Sequence, residues 1–81
     1  MAQAKALGWL AIKQHGSAFS LAGLPDVLAL KAGRAAWLEV KRPGQSPTPI
    51  QLLRHGQLRD FGCPVATVRS AAEAKQFLET L

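Results

Sequence analysis

The sequence predicts an α/β fold: a small mixed sheet flanked by helices, in the order α-β-β-β-α-β-α, forming one domain over residues 1–81. Three observations carry this. Two strand-like runs, Val27–Lys31 and Ala35–Val40, flank the pair Ala32-Gly33. Two helix starts are marked by capping boxes, at Thr48 and at Ser70. Between those helices, Val65–Arg69 is a short, β-branched run.

Taken in order, residues 2–14 read as a helix. Leu7, Leu10 and Ala11 lie on one stripe, Trp9 and Ile12 widen it, and Gly16 ends it. Ser17–Leu21 is a short candidate strand, followed by the breaker Gly23-Leu24-Pro25. Val27–Lys31 and Ala35–Val40 form a hairpin around Ala32-Gly33. The prolines and glycine of Arg42–Pro47 make a loop. Thr48 is the N-cap of the next helix, Pro49 suits its first turn, and Gln51 completes the box. This helix runs to Phe61 and Gly62 caps its end. After the strand Val65–Arg69, Ser70 and Glu73 open a last helix with Ala74, Phe77, Leu78 and Leu81 on one face.

Composition bounds the function. The chain has 81 residues, enough for one domain and a small core. It contains no apolar run of the roughly 18 residues a membrane-spanning helix needs. No apolar run followed by a cleavage site suggests a signal peptide. The single cysteine, Cys63, excludes an internal disulfide and a multi-cysteine metal site, so the expected setting is reducing and intracellular. The net charge of +5 points to a polyanionic partner, nucleic acid before an acidic membrane.

The acids are more telling than the bases. There are five, Asp26, Glu39, Asp60, Glu73 and Glu79, and none in the first 25 residues. A hairpin centred on Ala32-Gly33 opposes Leu30 to Ala35, Leu28 to Trp37 and Asp26 to Glu39. Directly opposed residues share a face, with Cβ atoms roughly 4.5–5.5 Å apart. Two carboxylates that close repel unless a cation lies between them. Mg²⁺ suits the place, because it takes oxygen ligands from one or two carboxylates and completes its shell with water and phosphate. Lys41, two residues beyond Glu39, lies on the same face, where it can hold a phosphate or orient a water. That is a minimal set for metal-assisted phosphodiester hydrolysis. A plainer reading of the same residues is the wet face of an edge strand, with Asp26 a turn residue after Pro25.

The residues Gly23-Leu24-Pro25-Asp26 followed by Leu38-Glu39-Val40-Lys41-Arg42 resemble the PD-(D/E)XK nuclease signature, and more narrowly the VRR-NUC family. The resemblance extends through the loop Pro43–Pro47, Gln51, Gly62 and Val68-Arg69-Ser70. It implies a restriction-endonuclease-like fold and a Mg²⁺- or Mn²⁺-dependent DNA endonuclease. Asp26, Glu39 and the backbone carbonyl of Val40 would ligate the metal. Lys41 would position or activate the attacking water, and Gln51 would reach the site from its helix. Arg69 would support the site or contact DNA. It also implies a homodimer resembling Holliday-junction resolvases, often of phage origin, with branched DNA as partner. A nucleic-acid-binding module with weak or lost catalysis, and a flap or duplex nickase, are the alternatives.

The chain departs from the family pattern in its first helix, where members carry a glutamate near the metal. Gln3 occupies about that place and brings no charge. Ser70 replaces the second arginine of the family's name motif and serves as an N-cap. Arg42 and Lys13 are candidate DNA contacts within a generic phosphate-attracting surface. His15 and His55 lack metal ligands at matching spacing and read as surface or packing residues.

Overall fold

The computed structural model describes residues 5, 7–14 and 22–81. Four strands, β1 (Leu10–Lys13), β2 (Val27–Lys31), β3 (Arg34–Val40) and β4 (Val65–Val68), form one sheet in the order β1-β2-β3-β4. The first three are antiparallel and β4 runs parallel to β3, so the sheet is mixed as expected. The parallel step needs a crossover, which helix α1 (Pro49–Asp60) supplies. Helix α2 (Ala71–Glu79) follows β4.

Strand alternation divides the labour of the sheet. One face carries Val27, Ala29, Ala36, Leu38 and Val68, which join Trp9 and the α2 residues Ala74 and Leu78 in the core. The opposite face of β3 carries Glu39 toward α1. Leu38 and Glu39 therefore point to the two sides of one strand, the first into the apolar core and the second toward α1.

The hairpin has the expected register. Leu28 pairs with Trp37 and Leu30 with Ala35, and Val27↔Leu38 places Asp26 and Glu39 at the next step. The loop is two residues long, with positive φ at both Ala32 (49°) and Gly33 (79°). Both angles suit the type I′ turn whose twist matches the strands. The expected cap of α1 is complete: the Thr48 side chain accepts from the Gln51 amide and the Thr48 amide donates to Gln51 Oε1 at 2.9 Å. The box at Ser70 is half formed. Ser70 Oγ accepts from the Glu73 amide, while Glu73 Oε1 accepts from the Arg69 amide at 2.8 Å instead.

The first helix needs correction. Leu10–Lys13, read as helical, is an edge strand paired with β2 through Ala11↔Ala29 and Ile12↔Leu28. A turn at Leu7-Gly8, closed by the Gly8 amide on the Lys5 carbonyl, leads into it. Trp9-Leu10-Ala11-Ile12 is a short continuous apolar run, and such a run fits either period. Its burial has period two, since Trp9 is buried and Leu10 and Ile12 are exposed. The candidate strand Ser17–Leu21, together with Gln3 and His15, lies outside the described residues.

The turn before Asp26 is packed against α1. Gly23 has φ +82°, and a Cβ there would stand 2.6 Å from the Ile50 carbonyl oxygen. Arg54 adds a hydrogen bond from Nε to the Ala22 carbonyl at 2.9 Å. Gly23→Ala should therefore cost roughly 1–3 kcal/mol, from left-handed backbone strain plus displacement of the helix start. A urea melt of the variant beside the wild type measures it; equal midpoints would show that the turn does not bear on α1.

Candidate metal site on the hairpin

Asp26 stands at the start of β2, just after Pro25 and the Gly23 turn. Its carboxylate is tied down, since Oδ2 accepts the Val40 backbone amide across the strand pair at 2.8 Å. The Asp26 carbonyl accepts from the Gln14 amide at 2.7 Å, which joins the end of β1 to the same point. Asp26 also lines an open cleft of about 470 Å³ with Ala11, Lys13, Gln14, Val27 and Val40.

Glu39 is only 1% exposed. Its Oε1 meets His55 Nε2 of α1 at 3.1 Å, and His55 is equally buried. Its Oε2 is buried with no hydrogen-bond partner among the described residues. Burial, reinforced by the nearby carboxyl of Asp26, pushes the Glu39 pKa up to about 8, with Lys41 pulling the other way. The metal-free pair therefore keeps a proton at neutral pH. Burial, and then the positive charges of Arg59 and Lys41, lower the His55 pKa. Nε2 of this ring and Glu39 Oε1 share one hydrogen bond.

A buried carboxyl oxygen without a partner requires an explanation. Two neighbouring acids, one presented on an open cleft and one with a spare oxygen, fit a small hard cation that keeps several waters. Among the described residues no group of three or more His, Cys, Asp or Glu side chains gathers to hold a metal. The donor set is thus the carboxylate pair rather than a closed cage of the zinc type.

The other sequence-predicted residues are placed as follows. Lys41 is half-buried, and its amide continues the β3–β4 pairing by donating to the Val68 carbonyl at 3.0 Å. Val40 exposes half its side chain while its amide pins Asp26. Gln51 uses its Oε1 in the α1 cap, so its acceptor is directed at the backbone of Thr48. Arg69 braces the loop after β3: Nε and Nη2 both donate to the Gln45 carbonyl, at 3.1 and 2.8 Å. Arg42 is exposed on that loop, and Lys13 is exposed on the wall of the Asp26 cleft.

His55 is the residue that sequence reasoning missed. Its spacing carried a signal, because it lies four residues after Gln51 on the sheet-facing side of α1. A polar side chain there needs a buried partner, and Glu39 needs one as well.

Fold and site together define a restriction-endonuclease-like α/β domain with a PD…E-x-K constellation on its hairpin. No known family profile matches the chain. A solved structure described as a VRR_NUC domain superposes with a TM-score of 0.78 at 32% identity, covering 96% of this chain and 84% of that one. A curated protein of Acyrthosiphon pisum secondary endosymbiont phage 1, "Putative nuclease p44", is 41% identical over 49 residues. That alignment takes in 59% of this chain and 53% of the phage protein, so the chain spans about half the length of this curated relative. The chain belongs to the VRR-NUC family.

Proposed function

We propose that this protein is a divalent-metal-dependent endodeoxyribonuclease that hydrolyses phosphodiester bonds in branched DNA as a homodimer. The observation that carries the reading is the buried Glu39, whose Oε2 has no partner among the described residues, beside an Asp26 carboxylate pinned to the Val40 amide. Family membership and a net charge of +5 support a DNA partner.

Asp26 and Glu39 Oε2 would hold Mg²⁺ or Mn²⁺, with the Val40 backbone carbonyl as a further ligand. When bound, the cation supplies polarisation of the phosphoryl oxygen and a lowered pKa for water. The chain's own residues do the rest. The Val40 amide keeps the Asp26 carboxylate oriented. Lys41, on the Glu39 side of β3, offsets negative charge as it builds on phosphate. Lys13, on the wall of the cleft beside Asp26, and the exposed Arg42 attract the DNA backbone. Gln51 and Arg69 act by shaping the helix start and the loop that flank the site.

A homodimer suits a chain this small, and a two-fold pair supplies one site per strand of a Holliday junction. Leu10, Ile12 and Leu30 on the sheet and Leu52 and Leu53 on α1 are exposed apolar side chains, which a second copy could cover. Among the described residues no helix is long and apolar enough to cross a membrane. The free Cys63 suits a reducing, intracellular setting.

The test is cleavage of labelled four-way junction, flap and duplex DNA with Mg²⁺, Mn²⁺ or chelator. Metal-dependent cutting that prefers the junction is the expected result. Cutting of flap or duplex alone would replace the resolvase reading with a nickase. Binding without cleavage in either metal would favour a DNA-binding module, for which Gln3 in place of an acid is the sequence motive.

A further inference from the structure

Helix α1 is attached to the sheet in an unusual way. Its apolar residues Ile50, Leu52 and Leu53 are exposed, between 42% and 57%, and Leu58 is half-buried, while its one buried residue is a histidine. A short amphipathic helix ordinarily turns its leucines inward. Here the deepest side chain of the helix is His55, and it ends on Glu39 Oε1 across 16 residues of sequence. The two oxygens of Glu39 are thereby made different: Oε1 is held and Oε2 is left over.

We propose that His55 is the positioning residue of the cation site: its Nε2 holds Oε1 of Glu39 and so presents Oε2 to the cation that Asp26 shares. The inference rests on the metal-site reading above and extends it to a residue of the second helix turn. A long carboxylate side chain has several rotamers, and only a fixed one gives a reproducible ligand position. Groups that hydrogen-bond a metal's ligands set their orientation, and losing one typically lowers metal affinity about 10–100-fold. In this arrangement α1 does more than cross between β3 and β4. It delivers the group that fixes the metal ligand of β3.

The test compares His55→Leu and His55→Gln with the wild type in Mn²⁺ titrations of the metal-free protein. A glutamine amide nitrogen reaches close to the place of Nε2 and can donate to Oε1, whereas leucine fills the space and cannot. His55→Leu should weaken Mn²⁺ binding about 10–100-fold, and His55→Gln should restore most of it. A packing role would reverse that order, because leucine suits a closed apolar slot better than an amide does. Equal Mn²⁺ affinity in wild type and His55→Leu, or tighter binding by His55→Leu than by His55→Gln, would overturn the proposal. Side-chain couplings of selectively labelled Glu39 read the positioning without metal. One rotamer is expected in wild type and His55→Gln, and averaging in His55→Leu; an unaveraged Glu39 in His55→Leu would overturn it too. A wild type that binds no Mn²⁺ removes the site and overturns both readings. Mn²⁺ binding without cleavage of any DNA overturns the nuclease reading alone.

Discussion

Glu39→Gln should lower cleavage by about 1,000-fold or more and, at the same time, make the metal-free protein more stable near pH 8. The loss follows from the site. An amide is a poor ligand for a hard cation, and the electrostatic contribution of a bound metal amounts to several kcal/mol of barrier. The gain follows from burial. Glu39 is 1% exposed, one of its oxygens has no partner among the described residues, and Asp26 stands beside it. In the folded protein its pKa is pushed up to about 8 from an ordinary 4.5. The folded state thus binds a proton that the unfolded state has released, and stability falls as pH rises from about 4.5 to about 8. His55 works in the opposite sense at lower pH. Its depressed pKa means that stability falls as pH drops below the ordinary 6.5. In Glu39→Gln the introduced amide would accept from the His55 N–H with its oxygen and donate from its nitrogen to Asp26. The variant should gain roughly 1–3 kcal/mol near pH 8 and much less near pH 5. Denaturant melts at both pH values measure it. A variant that is less stable than wild type near pH 8, or a gap that does not change with pH, would contradict this view of the buried pair.

Lys41→Met should lower the single-turnover cleavage rate about 100- to 1,000-fold while leaving a Mn²⁺ site in place. Methionine keeps much of the aliphatic stem and removes the charge, so β3 and its pairing with β4 through the Lys41 amide persist. In the proposed mechanism the positive charge has two roles. It would meet negative charge developing on phosphate, and it lowers the pKa of Glu39. Removing it raises that pKa further, so the residual activity should need a higher pH than the wild type does. A rate that falls only in proportion to lost Mn²⁺ affinity would make Lys41 an accessory of the metal ligands. An unchanged rate would remove it from the site.

Much of the candidate site's geometry was legible because a hairpin is a strong local constraint. Ala32-Gly33 sets the turn, the turn sets the register, and the register brings Asp26 to Glu39. The α1 cap was equally readable, since Thr48, Pro49 and Gln51 each have a positional preference that depends on few neighbours. What failed was decided by tertiary pairing. Trp9–Ile12 has no period of its own, and it became a strand because β2 offered an edge and the core took Trp9. The partner of Arg69, the loop carbonyl of Gln45, is likewise set by the fold, which brings the end of β4 to the loop after β3. His55 stayed hidden for the same reason, because its partner lies on another element and only the packing of α1 against β3 brings the two together.

The central claim is that Asp26 and Glu39 hold one divalent cation between them. Calorimetric titration of Mn²⁺ into the metal-free wild type, Asp26→Asn and Glu39→Gln, near pH 8, tests it most directly. One site per chain is expected in the wild type, with binding weakened at least about tenfold in each variant. Equal affinity in all three proteins would contradict the claim.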